Sequence, residues 1–182
     1  PVPPAVSAMN TKLAAAAASG LPAPELPAQC DARAMPVPVA GIESVGGGLP
    51  ALPAGRSKDL RTRPELNAAT LDIASAMIET GKLGQGPSTD LVAIGLSATD
   101  YIGHRFGPGG GEMCVQMHAL DAALGRFLDR LDAQGIPYAV MLSADHGGED
   151  LPERDRQRGI PEAARVSDGT SLSALNKALG GD

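Results

Sequence analysis

Two apolar runs with a long amphipathic stretch between them constrain this chain more than any other feature. Asp90-Leu91-Val92-Ala93-Ile94-Gly95-Leu96-Ser97 reads as a buried strand, and Tyr138 to Ser143 reads as a second. Between them, from about Gly111 to Gln134, Met113, Met117, Leu120, Leu124, Phe127, Leu128 and Leu131 recur at three- and four-residue steps. That spacing predicts a helix, and Gly135 and Pro137 end it. Strand, long helix, strand is a βαβ unit, so the pattern predicts an α/β fold with a parallel pair and a right-handed crossover.

Both runs end in chemistry. The first leads into Ser97-Ala98-Thr99-Asp100-Tyr101-Ile102-Gly103-His104, the second into Asp145-His146. Parallel strands deliver their carboxyl ends to one sheet edge, where open α/β sheets place ligands. Asp100 and His104 stand four apart, so one helical turn puts them on the same side. Asp145 and His146 are adjacent, which suits a tight turn splaying two side chains around an ion. Mixed oxygen and nitrogen donors suit Zn²⁺ and related divalent ions. Two such half-sites on one rim point to two metals about 4 Å apart, the clamp used for in-line displacement at phosphorus. The chain has three histidines, and two of them are spent here. The third, His118, falls beside Asp121 on the polar side of the long helix and reads as a solvated surface imidazole.

Composition narrows the partners. A formal charge of −6 over 182 residues argues against nucleic acid as a specific partner. No apolar stretch reaches the roughly 18 to 20 residues of a membrane span. Aromatic residues are 2% of the chain, so its core must come from Ala, Leu, Val, Ile and Met. Cys30 and Cys114 allow one disulfide or two free thiols, and the sequence leaves both open. The chain starts at Pro1 and shows no signal-like segment, which predicts a piece of a longer protein.

The organisation divides near residue 62. Residues 1–62 are rich in Pro, Ala and Gly and read as an insertion or subdomain. They hold a predicted helix from about Ala5 to Ser19, an extended edge segment at Met35 to Val39, and a turn or flexible loop at Gly46-Gly47-Gly48. Residues 63–182 read as the partial α/β domain. Pro64 opens a predicted helix to Thr80, with Gly81 as its stop. Leu66, Ile73 and Met77 supply its apolar face, with Ala69, Thr70 and Ala74 filling in. Glu153 to Arg158 alternates in charge and reads as a solvated loop or helix face. Ser171 to Leu179 reads as a short helix.

At "TDLVAIGLSATDYIGHRFGP" (89–108) and "LDAALGRFLDRLDAQGIPYAVMLSADHGG" (120–148) the sequence resembles the alkaline phosphatase superfamily. The match is to its type I phosphodiesterase/nucleotide pyrophosphatase-like branch, including related bacterial alkaline phosphatases. It runs from about residue 65 to 148, and its specific elements are Asp-x-x-Gly-His-x-x-Gly-Pro followed by Asp-His-Gly. The resemblance implies a metal-dependent phosphoric ester hydrolase on a parallel-sheet fold, acting on a small phosphate ester in the periplasm or outside the cell. It implies two divalent ions, most simply Zn²⁺. Asp100 and His104 would ligate the first, Asp145 and His146 the second.

The family also requires an early Asp, a Thr or Ser nucleophile and a late His, and none is found here. No histidine follows His146. The expectation is therefore part of a metal-ligand set, with no catalytic nucleophile in this chain and no activity in isolation. The Gly-rich "GPGGGEM" that follows the first motif reads as a flexible turn into the helix. Two alternatives remain: a non-catalytic metal-binding domain, and a sulfatase or phosphomutase relative. Sulfatases need Cys or Ser in a Cys/Ser-x-Pro-x-Arg setting, which neither Cys30 nor Cys114 has.

Overall fold

A computed structural model describes residues 1–40, 44–166 and 172–180. Its frame is helical. Helix α1 spans Pro4–Ser19, α2 Pro64–Gly81, α3 Ala98–Phe106, α4 Gly111–Ala133, α5 Pro152–Gln157 and α6 Leu172–Ala178. Two short 3₁₀ turns, Ala28–Arg33 and Ser57–Thr62, lie between α1 and α2. Proline sits in the first turn of α1, α2 and α5, where its missing N–H costs nothing. The expected helices at 5–19, 64–80 and 111–134 thus form within a residue or two of their predicted bounds. The short helix expected at 171–179 also forms, although Ser171 itself lies outside the described residues. Gly81 proves to be the last residue of α2; Lys82 makes the left-handed turn after it, at φ 51°.

The expected parallel pair of strands does not form. The described residues hold two isolated antiparallel bridges, Leu21 with Leu52 and Val37 with Val45, and no strand. One partner of the second bridge, Val37, lies in the segment expected to be extended, Met35 to Val39. Segments 90–96 and 136–144 carry no regular structure. No backbone–backbone hydrogen bond among the described residues involves 91–96 or 136–149. Their apolar runs have the composition of inner strands, but a strand exists only where a neighbour accepts its hydrogen bonds. Leu91 and Met141 are each 94% exposed. Ile94 and Leu96 alone of the first run pack onto the core.

That core has two parts. One gathers Val37, Val39, Val45 and Leu49 from the first 62 residues with Ile102 and Phe106 of α3 and Val115 of α4. The other joins Leu71, Ala74 and Ile78 of α2 to Ala123 and Phe127 of α4. Residues 1–62 therefore share a core with α3 and α4, and the Cys30–Cys114 disulfide ties the two covalently, with Cα atoms 5.7 Å apart.

Two helix faces differ from expectation. In α2 the buried set is Asn67, Ala69, Leu71, Ala74, Ser75 and Ile78, while Met77 is exposed. In α4 Met117 is exposed, and Glu112, Val115 and Gln116 are buried instead. The rest of the α4 stripe holds: Phe127 is in the core, and Met113, Leu124, Leu128 and Leu131 pack against it. In α2, Ala69 and Ala74 turn inward as expected, while Leu71, Ser75 and Ile78 take the place given to Met77.

Candidate metal centre

The site begins with how α3 is held. Asn67 of α2 accepts a hydrogen bond from the Ala98 amide through Oδ1 at 3.0 Å. Its Nδ2 donates to Thr99 Oγ1 at 3.2 Å, and Gln116 Nε2 of α4 donates to the same hydroxyl at 3.0 Å. Asn67 and Gln116 are both buried. This network satisfies an orphan amide at the start of α3 and fixes the helix between its neighbours. Sequence reading missed all three residues. The available signal was Thr99 directly before Asp100, and two amides standing inside otherwise apolar helix faces.

With α3 fixed, Asp100 and His104 meet as their spacing requires: His104 Nε2 lies 3.2 Å from Asp100 Oδ1. His146, which follows the second apolar run, reaches the same oxygen, with Nε2 at 3.4 Å. The two imidazole rings stand 5.9 Å apart at 59°. One donor atom from each of Asp100, His104 and His146 thus falls within 4.8 Å of the others. Asp145 stands at the margin. Its side chain is 84% exposed, and its Oδ2 is 3.7 Å from His146 Nε2. Its Oδ1 accepts the His146 amide at 3.1 Å. His118 is exposed on α4, away from this cluster.

The protonation of His146 carries chemical information. Its Nδ1 is 2.6 Å from the Gly147 carbonyl oxygen, and a carbonyl only accepts, so Nδ1 bears the proton. In the neutral ring, Nε2 then carries the lone pair, 3.4 Å from the Asp100 carboxylate, and is free to take a second proton or a cation. The His146 pKa is accordingly raised above its ordinary value, first by the Gly147 carbonyl and then by the Asp145 and Asp100 carboxylates. A backbone carbonyl on the far ring nitrogen is also the usual way an imidazole ligand is oriented.

Two nitrogen donors and a carboxylate converging from a helix and a neighbouring loop make a candidate divalent-cation centre. The chain belongs to the type I phosphodiesterase / nucleotide pyrophosphatase family, which matches residues 50–176. It is 47% identical over 176 residues to the alkaline phosphatase PhoK of a Sphingomonas species, covering 97% of this chain and 31% of that one. It is 40% identical over 157 residues to the alkaline phosphatase PhoD of Zymomonas mobilis, covering 86% of this chain and 27% of that one. Among solved structures, wild-type alkaline phosphatase PafA superposes with a TM-score of 0.72 at 26% identity, over 100% of this chain and 37% of that one. The superfamily expected from the two motifs is thereby established, and with it the alkaline-phosphatase-like fold. The chain spans roughly a third of the length of these relatives.

Proposed function

We propose that this chain carries part of the metal-binding half of a metal-dependent phosphoric ester hydrolase, with small phosphate esters as substrates. The observation that carries the reading is the meeting of Asp100, His104 and His146 at one point, from two segments 42 residues apart by number. Zn²⁺ fits the oxygen and nitrogen donors. Asp100 and His104 are assigned to one ion, Asp145 and His146 to a second. Two ions about 4 Å apart leave ligands of one in contact with ligands of the other, which accounts for His146 lying against Asp100.

Bound cations would supply positive charge against which a phosphoryl group and its leaving oxygen are stabilised. The chain's own part is to hold the donors. Helix α3 presents Asp100 and His104 in one register, and the Gly147 carbonyl keeps the proton on His146 Nδ1, so that Nε2 stays available. The nucleophile is not assigned to any residue here. Residues 1–62 serve in this reading as a subdomain buttressing α3 and α4. The disulfide supports assignment to the periplasm or the cell exterior, since such bonds persist in oxidising surroundings.

The test uses the most similar region of a relative. The 176-residue segment of PhoK that matches this chain is replaced by it, and the chimera is assayed on a chromogenic phosphomonoester and a phosphodiester. Metal-dependent hydrolysis is expected, falling by orders of magnitude in His104→Ala and in Asp145→Ala. A folded chimera that is inactive, or one indifferent to both substitutions, sinks the reading. Residues 1–182 alone are expected to bind zinc weakly and to hydrolyse neither ester, because catalytic zinc takes about three protein ligands per ion.

A further inference from the structure

Within the run Glu153 to Arg158, expected to be solvated, Arg154 is buried, and with Arg158 it forms a cluster around Asp150. The Arg154 side chain is 3% exposed and that of Asp150 11%. Asp150 Oδ1 accepts from Arg154 Nη1 and, at 2.9 Å, from the Leu151 amide. Its Oδ2 accepts from Arg158 Nη1 at 2.8 Å. Both arginines reach on to the backbone at the end of α3 and just beyond it. Arg154 Nη2 donates to the Phe106 carbonyl at 3.2 Å, and Arg158 Nη2 to the Gly109 carbonyl at 2.9 Å.

The glycines of the 107–110 loop show how close that contact is. A Cβ on Gly107 would lie 2.5 Å from Asp150 Oδ1, and one on Gly109 would collide with Asp150 Oδ2. One on Gly110 would lie 2.5 Å from Arg154 Nη2. The loop expected to be a flexible turn is instead a closely fitted seat, and its glycines leave room for the two guanidinium groups and the carboxylate.

Asp150 follows His146 by four residues, a tether of at most about 14 Å. Upstream, 136–149 makes no backbone–backbone hydrogen bond among the described residues. The seat begins at Gly107, directly after α3 and three residues past His104. The carboxylate and its two arginines therefore join the His146 segment to the helix bearing the other two donors. We propose that Asp150, Arg154 and Arg158 are positioning residues for His146, clasping its loop onto the 107–110 seat so that Nε2 meets Asp100. The metal arm of this proposal rests on the reading of the cluster as a divalent-cation site; the placement of His146 does not.

The test compares the chain with Asp150→Asn, Arg158→Ala, Arg158→Lys, His146→Ala and the Asp150→Asn/His146→Ala double variant. Arg158 is half-exposed, so its removal leaves the core intact, and retained amide dispersion in NMR spectra verifies folding. Without metal, a nuclear Overhauser contact between the His104 and His146 rings is expected in the wild type. It should vanish in Asp150→Asn and Arg158→Ala, and return at least in part in Arg158→Lys. With zinc, Asp150→Asn should bind about 10- to 100-fold more weakly. The double variant should bind no more weakly than His146→Ala alone, because the clasp acts through that ring. A ring contact that persists in Asp150→Asn and Arg158→Ala overturns the proposal, as do additive losses in the double variant. A wild type that shows the contact and loses it in both variants, but binds no zinc even within the PhoK chimera, upholds the clasp and defeats the metal reading instead.

Discussion

Two regions of this molecule are built from similar apolar residues and meet opposite fates. Around α3, each apolar side chain finds a partner: Ile102 is fully buried among Val37, Val39, Val45 and Leu49, and a disulfide closes over α4. Around 136–144, Val140, Met141 and Leu142 face outward with no backbone partner among the described residues. Helices satisfy their own hydrogen bonds and need only one covered face, whereas a strand needs neighbours on its edges as well. The candidate centre lies on the seam. Asp100 and His104 stand on the supported side, and His146 arrives from the other.

The sharpest way to break this comparison is a pair of truncations. Ile102→Ala removes a side chain from the fully packed core and should cost about 2–5 kcal/mol in chemical denaturation. Met141→Ala removes an equally apolar side chain that touches water and should change stability by no more than about 0.5 kcal/mol. Equal losses would mean that 136–144 is buried in solution, as by a second copy of the chain.

The Cys30–Cys114 bond sharpens it next. It closes a separation of 84 residues. Replacing both cysteines by serine should cost roughly 2–4 kcal/mol. Hydrogen exchange should speed up in α4 and in 28–40, while amides of 136–149 stay as fast as before, since they have no backbone partner to lose. Slow exchange in 136–149 of the unaltered chain would contradict the contrast directly.

What could be read from the sequence follows the same division. Helices α1, α2 and α4 were legible because proline starts and three- to four-residue periodicity are local properties. The Asp100/His104 pair was legible because a helical turn fixes the spacing. The meeting of His146 with Asp100 was inferred through a parallel sheet that the described residues do not form, so the convergence is found but the expected route to it is not. Arg154 was taken for a solvated residue because charge alternation cannot reveal that Asp150, four positions earlier, follows it inward. Asn67 and Gln116 escaped for a related reason: a buried amide looks like a surface one until its partner, Thr99, is placed in space.

The smallest expected effect lies beyond α5, where Arg165 donates to both carboxylate oxygens of Glu153 at 2.8 and 3.0 Å. Those hydrogen bonds hold the Glu153 pKa below its ordinary 4.5. A depressed acid contributes stability that is complete above the unfolded-state value and is lost as pH falls through the folded one. Arg165 is half-exposed, so solvent screens the pair and its worth is roughly 0.2–1 kcal/mol. Glu153→Gln should therefore lower stability slightly at pH 7 and narrow its gap to the unaltered chain as pH drops below 4.5. Thermal melts at pH 7 and at pH 3.5 measure both. A gap that widens on acidification would show that the carboxyl is held protonated rather than ionised, and that this arm of the chain packs as tightly as the helices do.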